Sequence, residues 1–240
     1  MNTAIILSGG TGSRMGTAIP KQYVEVEGRP VLDYCLSTFA AHPAIGSIVI
    51  AVADEWRDFV DRLAGRYRAQ KPLWLAPAGE TRQLSIYNGL KTAAAHGCGG
   101  ADVVVVHDGA RPLVSAALIS RCVEACATAD AVMPALAVKD TTYMSDDGHT
   151  ITALLDRGKL RAGQAPEAFR MDKYLKAHDD AGRDALLRVN GSTELAFRAG
   201  LRCAIIDGDP MNFKITTPED LASFRAIAGQ PEGATKNKQR

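Results

Sequence analysis

Val103-Val104-Val105-Val106-His107-Asp108-Gly109-Ala110-Arg111-Pro112 is the stretch that settles the fold class. Four consecutive β-branched residues leave no polar face, so this strand is buried on both sides, as in a parallel sheet covered by helices. In open α/β sheets ligands sit beyond the carboxyl ends of the strands. Asp108 therefore stands where a Mg²⁺-binding carboxylate is useful, since Mg²⁺ commonly takes one or two carboxylates plus substrate phosphates. The alternative is a structural ion pair between Asp108 and Arg111. His107 reads as a hydrogen-bonded scaffold residue rather than a catalyst.

Outward from this strand the chain alternates. Residues 4–7 form a short apolar run ended by Gly9-Gly10, a first buried strand. Further strands are expected over 47–53, 73–76, 131–138 and 203–206. Helical spacing appears at Val31, Leu32, Cys35, Leu36 and Phe39, and at Trp56, Phe59, Val60 and Leu63 behind an Asp54 cap. It returns over 81–95, after a Ser115 cap, and near 171–181 and 192–199. Thr217-Pro218-Glu219-Asp220 opens the last helix, with Pro just inside and acids in the first turn. This rhythm predicts an α/β fold with a mostly parallel sheet. Residues 139–161 interrupt it with β-rich sequence around Asp147-Gly148, a hairpin signal. No linker divides the chain. One domain over 1–229 is expected, with 139–161 as an inserted arm and 230–240 as a frayed tail.

Composition narrows the class. Of 240 residues, 46% are hydrophobic and 23% charged, which excludes a wholly disordered chain. The net charge of +1 argues against coating nucleic acid or an anionic membrane, so neither is an expected partner. Five scattered cysteines suggest no disulfide framework, and Cys122 and Cys126 read as packing residues on one helix face. Met1-Asn2-Thr3 runs into a strand without a basic leader, and no apolar run approaches 18 residues. A cytoplasmic, unprocessed protein without a membrane span is expected.

The first loop reads Leu7-Ser8-Gly9-Gly10-Thr11-Gly12-Ser13-Arg14-Met15-Gly16, followed by Pro20-Lys21-Gln22. Glycines after a first strand let backbone N–H groups cradle an anion. The glycine spacing fails the dinucleotide fingerprint, and no Gly-Lys-Ser/Thr follows, so a Walker A loop fails too. No acidic residue ends a second strand about 20 residues on, so an NAD-dependent enzyme is disfavoured. Arg14 and Lys21 beside N–H donors suit a triphosphate. Gly79-Glu80-Thr81-Arg82-Gln83, with Ser85 one turn in, offers helix N–H donors for a base or ribose. Lys214 lies between apolar neighbours in the strand-like Asn212-Phe213-Lys214-Ile215-Thr216, a position that favours an anion partner.

As a set, these motifs resemble the cytidylyltransferases that act on 2-C-methyl-D-erythritol 4-phosphate in isoprenoid synthesis. The resemblance covers nearly all of residues 3–228. It rests on Arg14-Met15-Gly16, Pro20-Lys21-Gln22-Tyr23, Thr81-Arg82-Gln83 with Ser85, His107-Asp108 with Ala110-Arg111-Pro112, Lys139-Asp140-Thr141, Asp156-Arg157, and 212–221. It implies a Rossmann-like nucleotidyltransferase, homodimeric through a protruding β-arm that matches 139–161. Leu7, Ser8, Gly9, Gly10, Thr11, Gly12, Gly79, Glu80, Ser85, Asp108 and Gly109 would then hold CTP. Arg14, Lys21 and Lys214 would be catalytic, stabilising charge on the transferred phosphate and leaving pyrophosphate. Asp108 would help hold Mg²⁺ or another divalent cation. Thr141, Arg157, Thr193 and Thr216 would contact the acceptor polyol phosphate, the first two from across the dimer.

Several positions depart from the family pattern. Gly109 replaces a common Ala, Gln164-Ala165-Pro166-Glu167 replaces Gln-Thr-Pro-Gln, and Ser192-Thr193-Glu194-Leu195 replaces a Thr-Asp motif. Gly9-Gly10 is closer to sister enzymes that use ribitol 5-phosphate or related polyol phosphates for surface polymers. Those enzymes form the alternative reading, and a non-catalytic nucleotide-binding protein forms another. The acceptor phosphate is already anionic near neutral pH, so alignment and charge stabilisation suffice without a nucleophile–base pair.

Overall fold

The strand expected over Val103 to Val106 forms and runs two residues further, to Asp108, in the middle of a mixed sheet. The computed structural model describes residues 1–10 and 19–230. The expected loop residues Thr11, Gly12 and Arg14, and the tail beyond residue 230, lie outside the described residues.

Twelve strands are described: β1 (Thr3–Leu7), β2 (Glu25–Val26), β3 (Arg29–Pro30), β4 (Ser47–Val52), β5 (Leu73–Pro77), β6 (Val103–Asp108), β7 (Ala131–Ala137), β8 (Tyr143–Met144), β9 (Ala153–Leu154), β10 (Arg161–Gly163), β11 (Glu167–Arg170) and β12 (Cys203–Asp207). The helices are α1 (Val31–Ala41), α2 (Arg57–Gly65), α3 (Arg82–Ala95), α4 (Ala116–Ala125), α5 (Met171–Arg188), α6 (Ser192–Arg198) and α7 (Pro218–Ala228). The main sheet runs β10-β7-β11-β6-β1-β4-β5, with β12 beside β7. The pairs β1/β4, β1/β6, β4/β5 and β7/β12 are parallel.

Alternation sends each strand's residues to two cores. Ala4, Ile6, Val103 and Val105 pack with Leu32, Leu36 and Phe39 of α1 and with Leu118 and Ile119 of α4. Ile5, Val104 and Val106 pack on the other face with Ile86 and Leu90 of α3 and with Tyr174 of α5. A third cluster of Val26, Val31, Ile215, Leu221 and Phe224 seats α7.

Register decides where the loops go. Leu7 lies opposite both Ala51 and Asp108. Ser8 N–H donates to the Ala51 carbonyl at 2.8 Å, Gly109 N–H to Leu7 at 2.9 Å, and Ala78 N–H to Val52 at 2.8 Å. The loops after β1, β5 and β6 therefore leave one edge of the sheet side by side.

Three local expectations change. The missed strand β11 fills the gap between β6 and β7, antiparallel to both. It is only four residues long and ends in charges, so periodicity does not reveal it. Asp54 does not cap by its side chain; Asp54–Trp56 is a 3-10 turn and α2 starts after it. The segment 212–216 is not a strand. Ile215 N–H instead ties it to the Ala110 carbonyl at 2.9 Å.

Other caps form as expected. Thr81 accepts from Leu84 N–H, Ser115 from Leu118 N–H, and Thr217 with Asp220 makes a capping box around Pro218. The expected helix 171–181 continues to Arg188 across a kink at Gly182, where φ is +67°. The hairpin 139–161 forms around β8 and β9. Its Asp147 carboxylate accepts from His149 and Thr150 N–H groups, and Gly148 takes φ +76°. Among the described residues no helix is long and apolar enough to cross a membrane.

His178 lies buried between α3 and α5. Its Nδ1–H donates to the Tyr174 carbonyl at 2.8 Å, so Nε2 accepts from the Gln83 amide at 2.8 Å. Burial pushes its pKa down to about 4. Between that value and its ordinary one near 6.5, the unfolded chain binds a proton that the folded chain refuses. Stability is therefore full above this window and falls as pH drops through it. We predict that His178→Gln removes on the order of 3 kcal/mol of the acid-induced loss between pH 7 and pH 4. Denaturant unfolding at both pH values measures this. An unchanged difference between wild type and variant contradicts it.

Candidate active site

A cavity of about 350 Å³ opens over the carboxyl ends of β1 and β6. Its lining includes Leu7, Gly9, Gly10, Gly79, Glu80 and Ser85, together with Lys21, Gln22, Arg82, Asp108, Lys214 and Thr216. Lys21 and Lys214, some 190 residues apart in sequence, are thus brought to one cleft.

The Gly-rich wall is clipped from beneath. Pro20 leads into a 3-10 turn, Lys21–Tyr23. The Gln22 amide donates to the Ser8 carbonyl at 2.9 Å and to Gly10 at 2.8 Å. The Tyr23 hydroxyl donates to Ser8 at 2.7 Å, and Ser8 Oγ–H donates back at 2.9 Å. Ser8 is therefore buried under the loop, and its side chain anchors the loop from below. Gly109 is buried too: a Cβ there would lie 2.9 Å from Leu32 Cδ1 and from the Leu7 oxygen. Gly79 donates its N–H to Ser85 Oγ at 2.9 Å, and Ser85 donates to Thr81 at 3.0 Å. A Cβ on Gly79 would meet Leu84 Cβ at 2.4 Å and Leu84 backbone at 2.7 Å, so only glycine permits this approach.

Asp108 is the electrostatic centre. Its Oδ1 lies 3.2 Å from Arg82 Nε; its Oδ2 lies 3.1 Å from Lys214 Nζ and 3.4 Å from Arg111 Nε. Burial pushes its pKa up, but Arg82, Lys214 and Arg111 together outweigh this and hold it well below the usual carboxylate range. Arg82 is half-buried, which pushes its pKa down; Asp108 and Glu167 outweigh that and raise it. Arg111 is braced by donating to the Asn212 carbonyl at 2.7 Å. Lys214 does find an anion, as its apolar surroundings predict, and that anion is Asp108. His107 is a scaffold residue: Nε2–H donates to the Arg111 carbonyl at 3.0 Å, and burial pushes its pKa down to about 4.

The donor set does not make a resident metal site. Among the described residues no three His, Cys, Asp or Glu side chains cluster. Of the two carboxylates lining the cleft, Glu80 is exposed and pairs with Arg183. The other, Asp108, is shared by three cations. A divalent ion here would need ligands from substrate phosphates.

Of the expected acceptor contacts, only Thr216 lines this cavity, and its hydroxyl donates to Asp220 at 2.6 Å. Thr193 spends its N–H and Oγ–H on Glu167 Oε2, at 2.9 and 2.6 Å. Thr141 and Arg157 are exposed on the arm, where Arg157 donates to the Lys139 carbonyl at 2.8 Å. Arg82 and Gln22, which stand in the motifs 79–83 and 20–22 without an assigned role, also line the cleft. Arg82 carries a readable signal: it opens α3, and a cation at a helix N-terminus is unfavourable unless acids pair with it.

The family model of IspD, 2-C-methyl-D-erythritol 4-phosphate cytidylyltransferase, matches residues 2–230. The chain belongs to this family. Over 224 residues it is 37% identical to the 2-C-methyl-D-erythritol 4-phosphate cytidylyltransferase of Geobacillus kaustophilus, covering 93% of this chain and 95% of that relative. Over 223 residues it is 38% identical to the bifunctional enzyme IspD/IspF of Nitrobacter winogradskyi, covering 93% of this chain and 54% of the relative. The chain thus spans about half the length of the bifunctional relatives it matches. The crystal structure of the 4-diphosphocytidyl-2C-methyl-D-erythritol synthase of Anaerococcus prevotii superposes with a TM-score of 0.79 at 26% identity, over 95% of this chain and 98% of that one. The Thermus thermophilus 2-C-methyl-D-erythritol 4-phosphate cytidylyltransferase superposes with a TM-score of 0.73 at 27% identity, over 95% and 99%. The α/β nucleotidyltransferase architecture of this IspD-family chain is therefore the family's own.

Two outcomes follow from the cleft. Asp108→Asn leaves three cations without their shared anion and should lower unfolding stability by about 3 kcal/mol at pH 7. Inorganic pyrophosphate should then raise the variant's melting temperature more than that of the wild type; an equal rise contradicts the charge argument. Gly79→Ala should lower unfolding stability by about 1 to 3 kcal/mol, because a Cβ there overlaps Leu84 and the loop must move away from α3. Unchanged stability in denaturant unfolding would refute that account of Gly79.

Proposed function

We propose that the chain transfers the cytidylyl group of CTP to the phosphate of 2-C-methyl-D-erythritol 4-phosphate and releases pyrophosphate. The observation that carries this reading is the convergence of Lys21 and Lys214 with a glycine-lined wall on one cleft, in a chain of this family. An anionic oxygen of the acceptor phosphate forms the new bond to the α-phosphorus. The bond from that phosphorus to the bridging oxygen breaks, and the electron pair leaves with pyrophosphate. No proton needs to be removed from the nucleophile, so the neutral, buried His107 has no part in the step.

Leu7, Gly9, Gly10, Thr11, Gly12, Gly79, Glu80 and Ser85 are assigned to the nucleotide, Ser8 and Gly109 to the floor beneath it. Lys21, with Arg14, is assigned to the charge on the α-phosphate and leaving group, and Lys214 to the transferred phosphate. Preorganised cations aimed at developing charge are worth more than mobile ones in solvent. Mg²⁺ or another divalent cation is proposed to enter with the triphosphate, with Asp108 as the chain's own contribution.

Thr216 and Thr193 are assigned to the acceptor end. Thr141 and Arg157 are assigned to the acceptor of a second protomer, in a homodimer joined through the arm. The arm's apolar side chains support that assembly: Tyr143, Met144, Ile151 and Leu154 are 48–67% exposed. Contiguous apolar exposure of this kind marks an interaction surface. All five cysteines are free thiols, which supports a reducing, cytoplasmic setting.

Incubation with CTP, Mg²⁺ and 2-C-methyl-D-erythritol 4-phosphate should release one pyrophosphate per cytidylylated product. Ribitol 5-phosphate in a parallel incubation should turn over far more slowly; the reverse preference moves the chain to the surface-polymer enzymes. Lys21→Ala and Arg14→Ala should each lose roughly two or more orders of magnitude in turnover with unchanged circular dichroism. Near-normal turnover in both variants sinks the assignment.

A further inference from the structure

Gln22 and Tyr23 are buried, 3% and 4% exposed, and both reach back to the first loop. The Gln22 amide meets two carbonyls, Ser8 at 2.9 Å and Gly10 at 2.8 Å. Only the NH₂ end of a glutamine can meet two carbonyl oxygens, so both of its hydrogens are committed. The Tyr23 hydroxyl donates to the same Ser8 oxygen at 2.7 Å. A carbonyl oxygen has two lone pairs, and here both are filled. Tyr23 itself is seated on Trp56, with ring centroids 4.5 Å apart, and meets Phe59 edge-on at 5.4 Å.

This saturation fixes the Ser8–Gly9 peptide. A trans peptide is planar, so its N–H leaves on the side opposite its C=O. The Ser8 C=O faces Gln22 and Tyr23, and the Gly9 N–H therefore faces away from both. Rotating the peptide would break two buried hydrogen bonds, and a buried group left unpaired costs its full desolvation. Gly9 is also closed in from the side of the loop after β5: a Cβ on it would lie 2.4 Å from Ala78 Cβ. Gly9 lines the cleft, yet among the described residues its N–H has no partner. Backbone N–H groups are obligatory donors, and few stay unpaired away from bulk water.

We propose that Gln22 is a positioning residue which, with Tyr23, holds the Ser8–Gly9 peptide so that Gly9 N–H donates to the bound nucleotide. The inference rests on the cytidylyltransferase reading, and it gives Pro20-Lys21-Gln22-Tyr23 a second task beside the charge of Lys21. The opposite peptide orientation would turn the Ser8 carbonyl oxygen toward a polyanion, acceptor against acceptor. Gln22 acts through the loop and not on the reacting atoms. Two variants remove the donors without adding charge. Gln22→Met keeps the length of the side chain, and Tyr23→Phe keeps the ring on Trp56.

The test combines CTP affinity by calorimetry, steady-state kinetics with CTP and 2-C-methyl-D-erythritol 4-phosphate varied separately, and the NMR signal of the Gly9 amide. In the wild type the Gly9 amide proton should move downfield when CTP is added, and its exchange with water should slow. Gln22→Met should weaken CTP binding and raise KM for CTP by about tenfold or more, leave KM for the acceptor within about twofold, and largely abolish the Gly9 shift. Tyr23→Phe should act in the same direction but less strongly, because Gln22 still holds both carbonyls. Unchanged CTP affinity in Gln22→Met, or an equal rise in KM for both substrates, overturns the proposal. If Gln22→Met does not fold, Tyr23→Phe carries the test: a CTP-selective rise with a reduced Gly9 shift supports the proposal, and an undiminished shift overturns it. The Gly9 amide also separates this inference from the reading beneath it. A wild type that turns over while its Gly9 amide ignores CTP overturns the positioning role and leaves the reading intact. A wild type that shows a Gln22-dependent Gly9 shift with CTP but releases no pyrophosphate with either acceptor overturns the cytidylyltransferase reading while the positioning role stands. A wild type that binds no CTP overturns both.

Discussion

One buried carboxylate holds the site together. Asp108 ends the central strand β6 and is reached by Arg82 from the start of α3, by Arg111 from its own loop and by Lys214 from the segment before α7. Three cations this close would repel one another without it. A lone carboxylate at this depth would carry a large desolvation cost without them. Each side makes the other tolerable, and the outcome is a cleft with a fixed positive excess.

The sheet brings these partners together through register. Leu7 lies beside Asp108, so the Gly-rich loop and the Asp108 loop leave the sheet at one level. Gln22 and Tyr23 then hold the start of the Gly-rich loop through the Ser8 and Gly10 carbonyls. The overall charge of +1 says nothing of this, because acids elsewhere on the chain offset the cations of the cleft. The Arg82–Glu167–Thr193 chain extends the same logic one layer back, tying α6 to the cleft wall.

Legibility followed physical range. Val103 to Val106 announce a doubly buried strand because burial on both faces acts on every residue, and periodicity records it. The arm is legible because Asp147-Gly148 is local turn chemistry. The strand β11 is hidden, since its place between β6 and β7 is decided by long-range pairing. The apolar neighbours of Lys214 make its need for an anion legible, but that the anion is Asp108, met from a segment that is no strand, is decided by the fold. Glu167 and Thr193 are separated by 26 residues, and only the fold reveals that each satisfies the other. Ser8 and Gly109 lie in motif positions, yet their backbone bonds to neighbouring strands place them beneath the cleft.

The central claim is that Asp108 stays ionised because three cations share it. Carbon-detected NMR of the Asp108 carboxyl carbon, followed from pH 7 to pH 3.5 in the folded protein, tests this most directly. The account predicts a flat resonance across the range, well past the ordinary aspartate midpoint of about 3.9. A titration step centred near that ordinary value would contradict it.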